Sequence, residues 1–233
     1  MNMKQKVKYN IMVKSAILLS GGLDSLVSLG LKKEELNVSL ALTFDYGQKS
    51  AIQEIETSRK ICEYYGIEHK VIKLDWLSEI TKTALCSEKD VPTGKELDNP
   101  ENSAKLVWVP NRNGLFLNIA GSFADSADID YILIGANKEE GQTFPDNTQE
   151  FIDSVNKEFE YSTQKHPKVV APLINSDKND IVMLALKHGI PLELIRSCYQ
   201  GGEKHCGICE SCTRLKHALL ANGDTHYMKI LFG

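Results

Sequence analysis

The sequence predicts a doubly wound α/β domain with a parallel sheet of roughly five strands, followed by a small four-cysteine knuckle. Three observations carry this expectation. Short apolar runs alternate with stretches of helical periodicity. The first apolar run breaks into a glycine turn that opens a helix. Four of the six cysteines fall between Cys198 and Cys212. Regular alternation of strand and helix marks a parallel sheet with right-handed crossovers. At 233 residues the chain suits one large domain or one domain with an appendage. We therefore divide it into an α/β domain over 1–195 and a cysteine-bearing segment over 196–233 packed on it.

The elements follow in order. A continuous apolar run over about 13–19 reads as a buried parallel strand. A helix follows over about 24–33, and residues 37–44 form the second strand. Asp45-Tyr46-Gly47-Gln48 is a turn. Ile52, Ile55, Cys62 and Tyr65 then lie on one side of a helix that ends at Gly66. The third strand, about 68–74, is rich in β-branched residues. Residues 81–110 carry Asp90, Pro92, Gly94, Asp98, Asn99 and Pro100 with little periodicity, and so read as a long loop. Phe116, Ile119, Ala120, Phe123, Ala124 and Ala127 have the spacing of a well-buried helix. Residues 131–134 form the fourth strand. A polar loop over 138–147 leads to a helix bearing Phe151, Ile152, Val155 and Phe159, with Asp146 or Asn147 as its cap. A fifth strand is expected over 169–173. Ser176 or Asp177 caps a helix over about 178–188, and a short last helix runs over about 214–220.

Composition excludes several classes. The apolar and charged fractions are ordinary for a soluble globular protein. A net charge of −4 provides no global basic field, so no nucleic-acid partner is expected. No apolar stretch approaches the ~20 residues that span a bilayer, and residues 1–14 read as a polar lead-in without a signal-peptide pattern. The expected location is cytoplasmic, with no membrane partner.

The strongest chemical signal is Ser20-Gly21-Gly22-Leu23-Asp24-Ser25. Adjacent glycines let backbone approach a ligand. The serines add hydroxyls, Asp24 can cap the helix or bind a metal, and the helix N-terminus faces an anion. A phosphate or pyrophosphate is the natural guest. The stretch lacks the spacing of a Walker A loop and of a dinucleotide fingerprint.

Other residues are placed by their position. Asp45 lies just beyond strand two, at the edge where ligands of open α/β sheets bind. Arg112 and Asn113 stand at a helix start, and a guanidinium there suits a phosphate or carboxylate. Lys178, after strand five, offers an ammonium to the same pyrophosphate. Phe144 can stack on a flat base, and Asp146 can accept from its amidine-like edge. Cys198, Cys206, Cys209 and Cys212 satisfy a tetrahedral zinc with no vacancy; an iron–sulfur cluster is the competing reading. His205 reads as a solvated loop histidine.

Ser20-Gly-Gly-Leu-Asp-Ser25, Phe44-Asp-Tyr-Gly-Gln48, Val109-Pro-Asn-Arg-Asn113, Phe144-Pro-Asp-Asn147 and the four cysteines occur in this order. Together they resemble the QueC family of pyrophosphate-loop ATP pyrophosphatases, over about 16–212. Two departures are visible: Leu23 stands where many relatives have glutamine, and Asn111 where a glycine is frequent. The resemblance implies an adenine nucleotide alpha-hydrolase-like fold. It also implies an ATP-dependent ligase that makes 7-cyano-7-deazaguanine from 7-carboxy-7-deazaguanine and ammonia, through adenylated intermediates, in queuosine or archaeosine precursor synthesis. ATP with magnesium would be co-substrate, and one structural zinc would bind per chain. ATP would lie on Leu19, Ser20, Gly21, Gly22, Leu23, Asp24, Ser25, Leu26, Val27, Ser28 and Leu29, with Asp45. Ser20, Asp24, Ser25, Arg112 and Lys178 would be catalytic. Arg112, Asn113, Phe144 and Asp146 would bind the acid. A homodimer is left open. Three alternatives stand beside this reading: a tRNA-modifying pyrophosphate-loop enzyme, a relative that forms a deazaguanine amide on a protein, and a non-catalytic zinc-binding module.

Overall fold

Among the described residues, five parallel strands form one sheet in the order β3-β2-β1-β4-β5. In the computed structural model they are β1 (Ser15–Leu18), β2 (Val38–Asp45), β3 (Glu68–Lys73), β4 (Tyr131–Leu133) and β5 (Lys168–Val170). The structure describes residues 13–88, 91, 93, 105–200, 202 and 204–233. Most of the predicted lead-in and the part of the predicted loop with Asp90, Pro92, Gly94, Asp98, Asn99 and Pro100 lie outside them, as do Gly201 and Glu203.

Helices follow the strands: α1 (Leu23–Lys32), α2 (Ala51–Tyr65), α3 (Asp75–Ile80), α4 (Arg112–Ala127), α5 (Lys138–Gly141), α6 (Gln149–Ser162), α7 (Lys178–Lys187), α8 (Glu210–Ala221) and α9 (His226–Phe232). β1 is central, with Ile17 in register with Ala41 on one side and Leu133 on the other. All four of its residues are buried, as a strand covered on both faces requires. β3 is an edge strand, and its Glu68, Lys70 and Lys73 are exposed charges of the kind that discourage edge pairing.

Side chains alternate across β1. Ala16 and Leu18 pack with Leu42, Phe44, Leu77, Leu117, Ile152 and Phe159, beneath α3, α4 and α6. Ile17 and Leu19 pack with Leu26, Ile61, Ile181, Val182, Leu215 and Leu219, beneath α1, α2, α7 and α8. Helices therefore cover both faces, as a doubly wound sheet demands. Leu231 of α9 joins the second core, so the C-terminal helices share the apolar contacts of α1 and α7.

Several boundaries differ from expectation. The stretch read as a polar loop over 138–147 contains α5 and a 3-10 turn, Pro145–Asn147. Asn137 accepts from the Glu140 N–H at 3.0 Å, and this local cap lets a polar segment without periodicity become helical. Thr148, rather than Asp146 or Asn147, caps α6 by accepting from the Phe151 N–H. Strand five ends at Val170. The last predicted helix starts at Glu210 instead of Arg214, and α3 and α9 were not anticipated; both are too short for periodicity to register. Ile52 is 78 % exposed, because Ser58, Ile61 and Cys62 define the buried side of α2. Asp177 does cap α7, in a reciprocal box with Asp180.

The chain leaves β1 toward β2 and β3, then crosses back to β4 and β5. The carboxyl ends of β1 and β4 are thus a switch point of strand order, where open α/β sheets bind ligands. Among the described residues no helix is long and apolar enough to cross a membrane.

Candidate active site

Sterics shape the turn after β1 before chemistry enters. Gly21 has φ +75°, and a Cβ there would stand 2.6 Å from Thr57 Cγ2. Gly135, just after β4, has backbone as its neighbour: a Cβ would meet Ser25 N at 2.8 Å and Asp24 C at 3.0 Å. The β4 loop can touch the start of α1 only because Gly135 has no side chain, and the β1 loop can lie against α2 only because Gly21 has none. Arg196 N–H donates to Gly21 O at 2.7 Å and Leu23 N–H to Ser197 Oγ at 3.3 Å. Ser25 Oγ donates to Gly22 O at 3.0 Å and lies 3.4 Å from Ser20 Oγ. The α1 cap residue is Gly22, which supplies no side-chain acceptor. Asp24 therefore does not cap the helix, contrary to one expectation, and the helix N-terminus keeps its affinity for an anion.

Asp24 instead meets Lys178. Lys178 Nζ lies 2.5 Å from Asp24 Oδ2 and 3.2 Å from Glu140 Oε1. The Asp177 cap of α7 sets Lys178 in the first turn, where its N–H also donates to Glu139 Oε1 at 2.8 Å. Burial alone would lower the pKa of Lys178, but the Asp24 and Glu140 carboxylates outweigh it and the ammonium is held protonated. Burial is also the largest influence on Asp24; it raises that carboxyl against the pull of Lys178. Glu140 is half-buried, and Lys178 and Arg112 bring it below its usual value against the effect of that burial. Asp24 Oδ1 is buried and has no hydrogen-bond partner among the described residues.

Arg112 opens α4. Its Nε donates to Asn113 Oδ1 at 3.2 Å, and Asn113 Nδ2 donates to Asp146 O at 3.2 Å. Burial opposes the guanidinium charge, but Tyr46, Asp146 and Glu140 around it keep its pKa raised. Burial raises the Asp146 carboxyl, and Arg112 partly offsets this. Phe144 lies nearly parallel to Trp108, with ring centroids 6.0 Å apart and planes 15° apart.

These groups line two adjoining cavities. Ser20, Gly22, Leu23, Asp24, Ser25 and Leu19 line the first, with Phe44, Tyr46 and Gln48. Trp108, Phe144, Asp146, Glu210 and Arg214 line only the second. Arg112, Glu140, Lys178, Tyr199 and Ser211 line both. Asn113 lines the first. Five expected nucleotide contacts line neither: Gly21, Leu26, Val27, Ser28 and Leu29. The last four are buried in α1, facing the core. Asp45 also lies outside both cavities; its Oδ1 accepts from the Gly47 N–H at 3.2 Å and shapes the turn.

Sequence reasoning missed Glu140, Arg196, Tyr199, Glu210 and Ser211 as cavity residues. Two signals were available. Glu139-Glu140 follows a strand at the carboxyl edge of the sheet. The other four flank or interrupt the cysteine cluster.

Cys198, Cys206, Cys209 and Cys212 bring four Sγ atoms within 4.8 Å of one another, and this group could hold a metal ion. Tetrahedral thiolate sites with bonds of about 2.3 Å put sulfurs roughly 3.8 Å apart, so slight contraction closes a shell here. Ile208 and Cys209 N–H groups donate to Cys206 Sγ at 3.5 and 3.3 Å, across the turn that Gly207 forms at φ +73°. Cys206 N–H donates to Cys198 Sγ at 3.4 Å. His205 is not the solvated side chain that was expected. It is buried, its Nε2 accepts from the Ser197 N–H at 3.0 Å, and burial beside Arg196 lowers its pKa to about 4. A neutral ring thus supports the Ser197 turn against the Ser20–Ser25 loop.

Comparison with known proteins agrees with this arrangement. The model of the family described as queuosine biosynthesis protein QueC matches residues 14–223. A 7-cyano-7-deazaguanine synthase of Methanosarcina barkeri is 49 % identical, over 88 % of this chain and 93 % of that protein. The synthase of Methanosarcina mazei is 51 % identical over the same shares. That of Carboxydothermus hydrogenoformans is 50 % identical over 89 % of this chain and 98 % of its own length. With this identity spread along nearly the whole chain, and with the loop and the cysteine cluster in place, the protein belongs to the QueC family.

Proposed function

We propose that the chain is an ATP-dependent carbon–nitrogen ligase that converts 7-carboxy-7-deazaguanine and ammonia into 7-cyano-7-deazaguanine. One observation carries the reading: a cavity built on the Ser20–Ser25 loop and an aromatic cavity share a wall of Arg112, Glu140, Lys178 and Tyr199. ATP in the first and a flat acid in the second would meet at that wall.

A carboxylate does not react with ammonia in water, because its leaving group would be oxide. Attack of the carboxylate oxygen on the α-phosphorus expels pyrophosphate and leaves an acyl adenylate. Ammonia then adds to the acyl carbon, a proton is lost, and AMP departs to leave the amide. A second ATP adenylates the amide oxygen. Loss of AMP and the remaining N–H protons produces the nitrile. At each adenylation negative charge grows on the departing pyrophosphate. Ser20, Ser25 and the α1 N-terminus would stabilise it, with Lys178 and Arg112 as half-buried cations. Asp24 holds Lys178, and its second carboxylate oxygen is free to meet a cation that arrives with the nucleotide. Magnesium bound to ATP fits that oxygen and would neutralise phosphate charge. Phe144 and Trp108 would form an apolar wall for the acid, while Asn113 and Asp146 position Arg112. Leu26, Val27, Ser28, Leu29, Gly21 and Asp45 act through the shape of the loop and its helix.

We assign zinc to the four thiolates, because a closed tetrahedral sulfur shell leaves no position for water or substrate. Residues 196–233 then form a metal-braced appendage of the 1–195 domain. The test is mass spectrometry of products after incubation with ATP, Mg²⁺, ammonium and 7-carboxy-7-deazaguanine. The nitrile is the expected product. Accumulated amide, or ATP cleavage that does not depend on the acid, would refute this assignment.

A further inference from the structure

The second cavity contains a recognition pair that the reaction chemistry does not use. Glu210 and Arg214 stand one turn apart on α8, with Arg214 Nη2 at 2.5 Å from Glu210 Oε1. Such i,i+4 pairs usually sit on solvated faces and contribute little. This one does not: the side chains are 17 % and 29 % exposed, and both line the aromatic cavity. Arg214 Nη1 also lies 3.7 Å from Glu139 Oε2, and Glu139 accepts from the Lys178 N–H. The pair is therefore braced against the shared wall. Cys209 is the cap residue of its helix and Cys212 lies in the first turn, so two members of the cysteine cluster fix where it stands.

We infer that Glu210 and Arg214 read the pyrimidine edge of the acid, and so select a guanine-type over an adenine-type base. The inference rests on the deazaguanine reading above. A guanine-type edge presents a carbonyl acceptor, O6, beside two donors, N1–H and the 2-amino group. An adenine-type edge presents a donor beside an acceptor. A guanidinium next to a carboxylate matches the first pattern and opposes the second. Arg214 donates to O6. Glu210, through the oxygen not engaged by Arg214, accepts from N1–H and the 2-amino group.

Among the described residues, the charged side chains that line this cavity and not the first are Asp146, Glu210 and Arg214. Asp146 is committed elsewhere, since its Oδ1 accepts from Asn147 Nδ2 at 3.0 Å and Arg112 stands against it. The acid must turn its carboxylate toward Arg112 and Lys178 on the shared wall. The 2-amino end of its six-membered ring then points away from that wall, toward residues found only in the second cavity, while O6 lies between the two. A site built to bond these donors discriminates against an analogue that lacks one, because the Glu210 carboxylate loses one of its partners.

The test compares equilibrium binding of 7-carboxy-7-deazaguanine and its 2-deamino analogue to the metal-loaded protein. ATP affinity and zinc content are measured on the same preparations. The parent should prefer the 2-amino acid by about tenfold or more. Glu210→Gln should bring the ratio close to one while ATP affinity and zinc content stay at parent values. If that variant loses metal, Glu210→Asp asks the same question, and a reduced ratio is expected. An unchanged ratio in a metal-loaded Glu210 variant overturns the inference. So does collapse of the ratio in Asp146→Asn while Glu210→Gln preserves it. Failure of the parent to bind either acid would instead sink the deazaguanine reading itself, and this inference with it.

Discussion

Alanine at position 135 is the sharpest test of how the β4 loop builds the anion site. Gly135 lines the first cavity, and a Cβ there would stand 2.8 Å from Ser25 N, 3.0 Å from Asp24 C and 3.1 Å from Ser25 Cα. All three are backbone atoms at the start of α1, so no rotamer change relieves the contact. Ordinary contact begins near 3.4 Å, and the two loops must separate by roughly half an ångström. Overpacking of this kind costs about 1–3 kcal/mol. In a domain of this size each kcal/mol lowers the melting temperature by about 2–4 °C. The effect on chemistry should be larger. Displacement of reacting groups by ~1 Å can cost ~10²-fold, so a shift of half that size should slow pyrophosphate release by about tenfold or more. Gly66→Ala is the control. No atom lies within 4 Å of a Cβ there, but φ is +63°, so it should lose ~1 kcal/mol of stability and retain turnover. The assays are acid-dependent pyrophosphate release and thermal melting of both variants. Turnover in Gly135→Ala equal to that of Gly66→Ala would refute the idea that β4 backbone positions the loop.

Asp24→Ala and Ser25→Ala should each lower pyrophosphate release by ~10²–10³; activity within threefold of the parent in both would remove the loop from the mechanism. Cys209→Ser should lose zinc and melt at lower temperature before its chemistry is touched, since metal affinity in such sites is folding free energy. A stable, zinc-loaded Cys209→Ser protein without turnover would point to a catalytic metal. Asp130 accepts from the Lys14 N–H at 2.9 Å and pairs with Lys165 Nζ at 2.9 Å, and these contacts hold its carboxyl below the usual value. Its folded pKa is depressed, so its stabilisation is present above the unfolded value and lost as pH falls through the folded one. Asp130→Asn should therefore be less stable at neutral pH and lose less on acidification below about pH 4, as read from denaturant melts across pH. An unchanged acid dependence would remove Asp130 from the account.

The strand–helix alternation, the loop after β1 and the four-cysteine cluster were all legible in the amino-acid sequence. Each is a local signal. A buried parallel strand is a continuous apolar run, a phosphate-type turn is a pair of glycines between strand and helix, and metal ligands repeat at short chelating steps. Helices such as α3, α5 and α9 were not legible, because a helix of one or two turns has no periodicity to detect. α5 depends instead on the Asn137 cap and on packing against the turn that follows it.

Who meets whom in the site was decided by tertiary structure. Lys178 reaches Asp24 across 154 residues of chain, and the Arg196 N–H reaches Gly21 O. No spacing rule in the sequence encodes either contact. Glu140 and Glu210 look like ordinary surface acids until the sheet order sets β4 beside β1 and the cysteine cluster swings α8 over the cleft. The sequence could name the groups able to carry charge. Only the fold determined which of them are buried together, and burial is what makes a carboxylate and an ammonium at 2.5 Å part of a site instead of part of the surface.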